Sequence, residues 1–149
     1  KFNFYDESNM IFTRARSLPG SKILASDVTN SILSEGSIIN HSRIRDSVIG
    51  IRSRIGQNSF LDRVVMMGAD FFESEEMLAK NVELGLPRIG VGDNCEIRNA
   101  IIDKNARIGD NVKLINSMNM PDTETDDYVI RDGVIVIPKN SILPTGTII

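Results

Sequence analysis

The chain has no tryptophan, one cysteine, one histidine and few aromatic residues, 5% of its 149 positions. A lone Cys95 cannot form an internal disulfide framework, and it fits a reducing compartment. No apolar run approaches the roughly 18 residues that a membrane-spanning helix needs. The opening Lys1-Phe2-Asn3-Phe4-Tyr5-Asp6 lacks the apolar core and small-residue cleavage site of a secretory signal. Positive charge is also in short supply. Seventeen Lys and Arg face twenty Asp and Glu, for a net charge of -3 and a pI near 5.2. A nucleic-acid partner needs a basic face, so none is expected.

What the chain has in quantity is spaced aliphatic residues. They recur every five or six positions through Val28, Leu33, Ile38, Ile44, Ile49, Ile55 and Leu61. The pattern resumes at Val91, Ile97, Ile102, Ile108 and Leu114, and again at Ile130, Val136, Ile142 and Ile148. A helix would step by three and four, and a half-buried strand by two. A step near six suits a coil that buries one side chain per short strand and then turns, as in a hexapeptide parallel β-helix. Gly, Asn and Asp gather between the anchors, where a left-handed backbone is cheapest. Small residues such as Ser37, Ser47, Ser53, Ala100 and Ala106 suit the tight inward corners. Each buried Ile or Val is worth about 1.5–3 kcal/mol.

The period predicts an all-β coiled domain over residues 28–149, preceded by a linker over 1–27 leading from an N-terminal domain. Two stretches interrupt it. One, about 70–88, reads as a short helix: Ser74 as cap, Glu75 and Glu76 in the first turn, Gly85 as stop. The other, about 116–127, is a polar loop ending in Asp122-Thr123-Glu124-Thr125-Asp126-Asp127. That loop lacks the alternating ligands and central Gly of a calcium site, so no metal site is assigned.

The chemistry-bearing candidates are few. His41 is the single histidine; in a hexapeptide-repeat acyl-CoA-dependent acyltransferase such a residue would serve as general base. Its neighbours Asn40, Ser42 and Arg43 supply no orienting carboxylate. Cys95 reads as a small buried residue. Arg14 and Arg16 flank Ala15 just before Leu18-Pro19, Arg52 and Arg54 alternate and should point away from the core, and Lys104 and Lys139 stand in turn strings; exposed cations held rigidly can clamp a phosphate or carboxylate.

The strings Val-Ile-Gly-Ile-Arg-Ser-Arg-Ile (48–55), Met-Met-Gly-Ala-Asp-Phe-Phe-Glu (66–73) and Ile-Ile-Asp-Lys-Asn-Ala-Arg-Ile-Gly (101–109) resemble one family. So do Phe-Thr-Arg-Ala-Arg-Ser-Leu-Pro-Gly-Ser-Lys (12–22) and Lys-Asn-Ser-Ile-Leu-Pro-Thr-Gly-Thr-Ile-Ile (139–149). That family is the C-terminal domain of ADP-glucose pyrophosphorylase (glucose-1-phosphate adenylyltransferase), of plant or cyanobacterial type and large-subunit-like. The resemblance implies a left-handed parallel β-helix with regulatory and oligomerisation roles in a tetramer. The parent enzyme makes ADP-glucose from ATP and glucose 1-phosphate for glycogen or starch, in bacterial cytoplasm or plastid stroma. It implies effector binding at Lys104 and Lys139, with Arg14 and Arg16 on an anion site. The effector would be 3-phosphoglycerate or phosphate, and the partners sister subunits. The family's Pro-Pro is replaced by Pro19-Gly20. Its Gly-x-Gly-Thr-Arg-Leu phosphate loop is missing, so this chain alone is expected to be catalytically silent. The Mg²⁺ of the reaction belongs to the absent catalytic domain. The alternatives are the acyltransferase and a purely structural solenoid.

Overall fold

The computed structural model describes residues 3, 5–12, 14–116 and 119–149. From Lys22 onward the chain winds into a parallel β-helix with three walls. The first wall is a six-stranded sheet, and the other two form one ten-stranded sheet that bends around a corner within strands Phe60–Met66 and Glu96–Ile102. One coil takes 16 or 17 residues, seen in the offsets Ser37 over Ser21 and Ser59 over Ser42. Where an excursion intervenes the offset grows to 36, as in Cys95 over Ser59, or to 35, as in Asp110 to Thr145.

This register stacks like on like. The first wall buries Ile39, Ile55, Val91, Ile108 and Leu143 in one column above Ile23. Val28, Ile44, Leu61, Ile97 and Leu114 form the second column. Leu33, Ile49, Met66, Ile102 and Ile137 form the third.

The inward register differs from the sequence reading at four positions. Ile38, Ile142 and Ile148 are 39%, 37% and 67% exposed, and Val136 faces outward on the third wall. Their successors Ile39, Leu143, Ile149 and Ile137 are the buried residues. Strand side chains alternate, so a one-residue slip exchanges the two faces. Adjacent aliphatic pairs satisfy a six-residue count with either member. The member that turns inward has a small or polar residue two positions before it: Ser37, Ser141 and Thr147 at three of the four.

Those preceding residues form ladders of their own at the corners. The hydroxyls of Ser26, Ser42 and Ser59 accept in turn from the backbone N–H of Ser42, Ser59 and Cys95 at 3.0–3.2 Å. Cys95 continues the column as a serine would. Its thiol points to the Gly109 carbonyl at 3.2 Å, and the Val112 N–H points to its sulfur. Burial pushes the thiol's pKa up, which keeps it protonated and inert at neutral pH.

The two excursions are built from local signals. Helix Glu75–Glu83 starts at Ser74, whose side chain accepts from Met77 N–H, and it stops before Gly85 at φ +64°. Glu73 ties this excursion to the coil. Its 5%-exposed carboxylate accepts from Arg107 at 2.7 Å, Asn81 at 2.7 Å and the Ile89 N–H at 3.1 Å. The polar loop is more ordered than its composition suggested. Thr123–Glu124 pairs antiparallel with Val129–Arg131, which turns at Asp132-Gly133 and pairs antiparallel with Val134–Ile137. Both turn residues have positive φ, as a two-residue hairpin of this hand requires. Ile130 is therefore buried from a hairpin strand, not from a coil. The coil also begins earlier than the periodicity placed it, with strand Lys22–Leu24 already paired to Ile38–Asn40.

Two contrasts check this packing by urea unfolding. Ile39→Ala should cost about 2–5 kcal/mol, whereas Ile38→Ala should cost under about 1 kcal/mol. Ser59→Ala strands the buried Cys95 N–H and should cost about 1–3 kcal/mol, while Cys95→Ser should be close to neutral. Equal losses within either pair would contradict the assigned register.

Candidate functional site

The third corner of the coil carries the cationic residues. Its turn positions are Gly36, Arg52, Gly68, Asn105 and Asn140, all with φ between +55° and +86°. Backbone bonds tie the levels together: Arg52 N–H to Glu35, Ala69 N–H to Ile51, Asn105 N–H to Gly68 and Asn140 N–H to Lys104, at 2.9–3.1 Å. Gly68 is required here. A Cβ on it would lie 2.0 Å from the Ile51 carbonyl oxygen, and its φ of +86° disfavours any side chain.

Lys104 and Lys139 each precede the corner asparagine of their coil, so they occupy the same place on successive levels. Neighbouring strands lie about 4.8 Å apart, which brings two ammonium groups together. Asp70, two residues past Gly68, answers both. Its Oδ1 is 3.0 Å from Lys104 Nζ and its Oδ2 is 2.8 Å from Lys139 Nζ. Asn105 Nδ2 donates to Asp70 Oδ2 at 3.1 Å and to Asn140 Oδ1 at 3.2 Å, while Asn105 Oδ1 accepts from the Asp70 N–H at 2.8 Å.

A cavity of about 400 Å³ opens beside this cluster, walled by Arg14, Arg16, Ile51, Arg52, Asp70 and Lys104. Arg52 is held at its rim, with Nη1 donating to the Ala69 carbonyl at 3.2 Å and the guanidinium 5.6 Å from the Phe72 ring centroid. Arg16 donates to the Arg14 carbonyl at 3.4 Å. Lys139 does not line the cavity and joins it through Asp70. The four residues named from the sequence thus gather at one corner, although they span positions 14 to 139. Asp70, Asn105 and Arg52 were not assigned to the site from sequence. Arg52 was singled out only among the outward-pointing basic residues able to clamp an anion, and Asp70 only as part of the 66–73 string.

Charge explains the arrangement. The two lysines and Asn105 hold the Asp70 carboxyl well below the usual carboxylate range, with Lys139 the largest cause. Asp70 in turn raises Lys139. The lowered carboxyl contributes fully above the ordinary value near 3.9 and loses its effect as pH falls through its lowered native value. The raised ammonium contributes fully below about 10.4 and loses its effect as pH rises through its own raised value. Asp70 and Lys139 are therefore both charged throughout the physiological range.

The other candidates lie elsewhere. His41 is an exposed corner residue at φ +46°, with Nδ1 2.7 Å from Asn40 Oδ1 and, among the described residues, no carboxylate to orient it. A larger cavity of about 710 Å³, lined in part by Arg54, Arg88, Asp93 and Asp110, contains none of the four named site residues. A second cationic cluster places Arg43, Arg45 and Arg98 at 5.1–5.7 Å from the Phe60 ring. In the acidic hairpin, Asp122 and Glu124 face Arg131 at 3.9 and 2.9 Å. Among the described residues no three His, Cys, Asp or Glu converge as metal ligands.

Residues 16–148 match the family model described as the GLGC left-handed parallel β-helix domain. The chain belongs to this family. Its handedness is therefore left, in keeping with the positive-φ corners. The chain is also 45% identical over 150 residues to the wheat (Triticum aestivum) glucose-1-phosphate adenylyltransferase small subunit, chloroplastic/amyloplastic. That alignment covers 99% of this chain and 32% of the relative, so the chain spans about a third of the relative's length. The relative is named as a small subunit, while the strings suggested a large-subunit-like chain. No helix among the described residues is long and apolar enough to cross a membrane.

A carboxyl-carbon NMR titration checks the charge network. Asp70 should titrate below the ordinary ~3.9, and Lys139→Gln should move its midpoint upward. An ordinary midpoint, unmoved by Lys139→Gln, would show that the ion pairs do not form in solution.

Proposed function

We propose that this GLGC β-helix is the effector-binding and subunit-contact part of a glucose-1-phosphate adenylyltransferase. The enzyme's reaction, ADP-glucose and pyrophosphate from ATP and glucose 1-phosphate, takes place on a separate catalytic domain. The observation that carries the reading is the convergence of Lys104 and Lys139 on one carboxylate, beside a cavity walled by Arg14, Arg16 and Arg52. Five cations around one exposed carboxylate suit a small anion with more than one negative group, such as 3-phosphoglycerate or phosphate. The wheat relative's plastid label supports a plastid setting.

Support for subunit contacts comes from the third wall. Its outward positions Ile32, Val48, Val65, Ile101 and Val136 stand in register as one aliphatic stripe. Ile32, Val48 and Val65 are 59%, 40% and 42% exposed. Apolar continuity of this kind favours burial against another protein surface. No observation favours the acyltransferase reading, because among the described residues His41 has no orienting carboxylate, and it lines none of the cavities of about 710, 490 and 400 Å³.

In the whole enzyme, Lys104→Gln with Lys139→Gln should raise the 3-phosphoglycerate concentration for half-activation by at least about tenfold, since each lost charge-assisted contact is worth about 1.5–3 kcal/mol. Basal activity should persist. An unchanged activation curve would remove the effector assignment.

A further inference from the structure

We infer that the Asp70 carboxylate is an internal competitor for this anion site: it holds the two ammonium groups that an incoming phosphate or carboxylate must engage, and its displacement sets the concentration of anion required. The inference rests on the effector reading of Lys104 and Lys139 and adds a determinant of affinity to it.

The contacts are those of a ligand. Each Asp70 oxygen takes a different lysine, Oδ1 with Lys104 and Oδ2 with Lys139, and Asn105 adds a donor to Oδ2. A bound phosphate or carboxylate would use two oxygens in the same way. Two lysines stacked on neighbouring coils repel each other, so a negative charge between them is always favoured. Because its pKa lies so low, Asp70 stays charged at working pH and does not release the lysines by protonation. Only another anion relieves them.

The backbone of Asp70 is fixed, but its carboxylate is not entombed. Its N–H is bonded to Asn105 Oδ1, and it follows the obligatory glycine corner at Gly68. The side chains of Asp70 and Lys104 are 37% and 36% exposed, and both line the cavity that holds Arg14, Arg16 and Arg52. An anion entering there meets these arginines alongside Lys104. Exchange then needs only side-chain rotation at Asp70, with no change in the coil. A tethered carboxylate acts as a competitor at high effective concentration. The site therefore favours anions with charge enough to outbid it, such as a phosphate monoester over a single carboxylate.

The test is a calorimetric titration of inorganic phosphate into the whole polypeptide that carries this chain, in wild-type form and as Asp70→Asn, Asp70→Glu and the Lys104→Gln/Lys139→Gln pair. Asp70→Asn should bind phosphate about three- to tenfold more tightly, and Asp70→Glu should stay near wild type. Unchanged or weaker binding by Asp70→Asn would overturn the inference. Should Asp70→Asn fail to fold, Asp70→Ser carries the same expectation. The lysine pair separates the two claims. Loss of phosphate binding there, with Asp70→Asn unchanged, rejects the competitor alone. Undiminished binding by the lysine pair rejects the effector site on which it rests.

Discussion

Everything in this molecule depends on the left-handed corner. Each coil turns through a residue with φ near +45° to +86°, and the backbone of that turn is bonded to the carbonyl one coil below. Few residue types tolerate this geometry. Asn, Asp and Gly hold most of the corners, and their presence fixes where each strand ends. Once the corners are set, coils stack in one register, aliphatic residues meet in columns, and the serine ladders satisfy the N–H groups that the turns would strand.

The same register creates the anion site. Nothing local brings Lys104 near Asp70, which lies 34 residues earlier, or Lys139 near either. The corner aligns Gly68-Ala69-Asp70 with Lys104-Asn105 and with Lys139-Asn140 across two excursions. Glu73 keeps the first excursion from pulling Asp70 out of place, through its buried contacts to Arg107, Asn81 and the Ile89 N–H. A solenoid of this kind turns sequence period into side-chain proximity, and function follows from which coil supplies which residue.

This explains how much could be read in advance. The six-residue step identified the coil, and the Ser74 cap with Gly85 located the helix, because both signals are local. The inward choice between Ile38 and Ile39, or Ile142 and Leu143, was hidden because both neighbours are aliphatic. The small residue two positions earlier carries that information. Of the hairpin at Thr123–Ile137, only the part up to residue 127 was read as polar loop, because its first strand is short and charged, and Ile130 and Val136 were read as coil anchors, although Asp132-Gly133 is a hairpin signal in its own right. Lys104 and Lys139 stood out as lysines in matching turn strings. Asp70 did not, because its role appears only after the offset of the inserted coil is known. Arg52 was visible as an outward residue without any indication of its partners.

The measurement that reaches the centre of this account is a crystal structure of the protein grown or soaked with millimolar phosphate. The account predicts a phosphate bridging Lys104 and Lys139, open to Arg14, Arg16 and Arg52, with the Asp70 carboxylate rotated away and the coil unchanged. Asp70 still bridging both lysines, with phosphate bound at another corner, would contradict it.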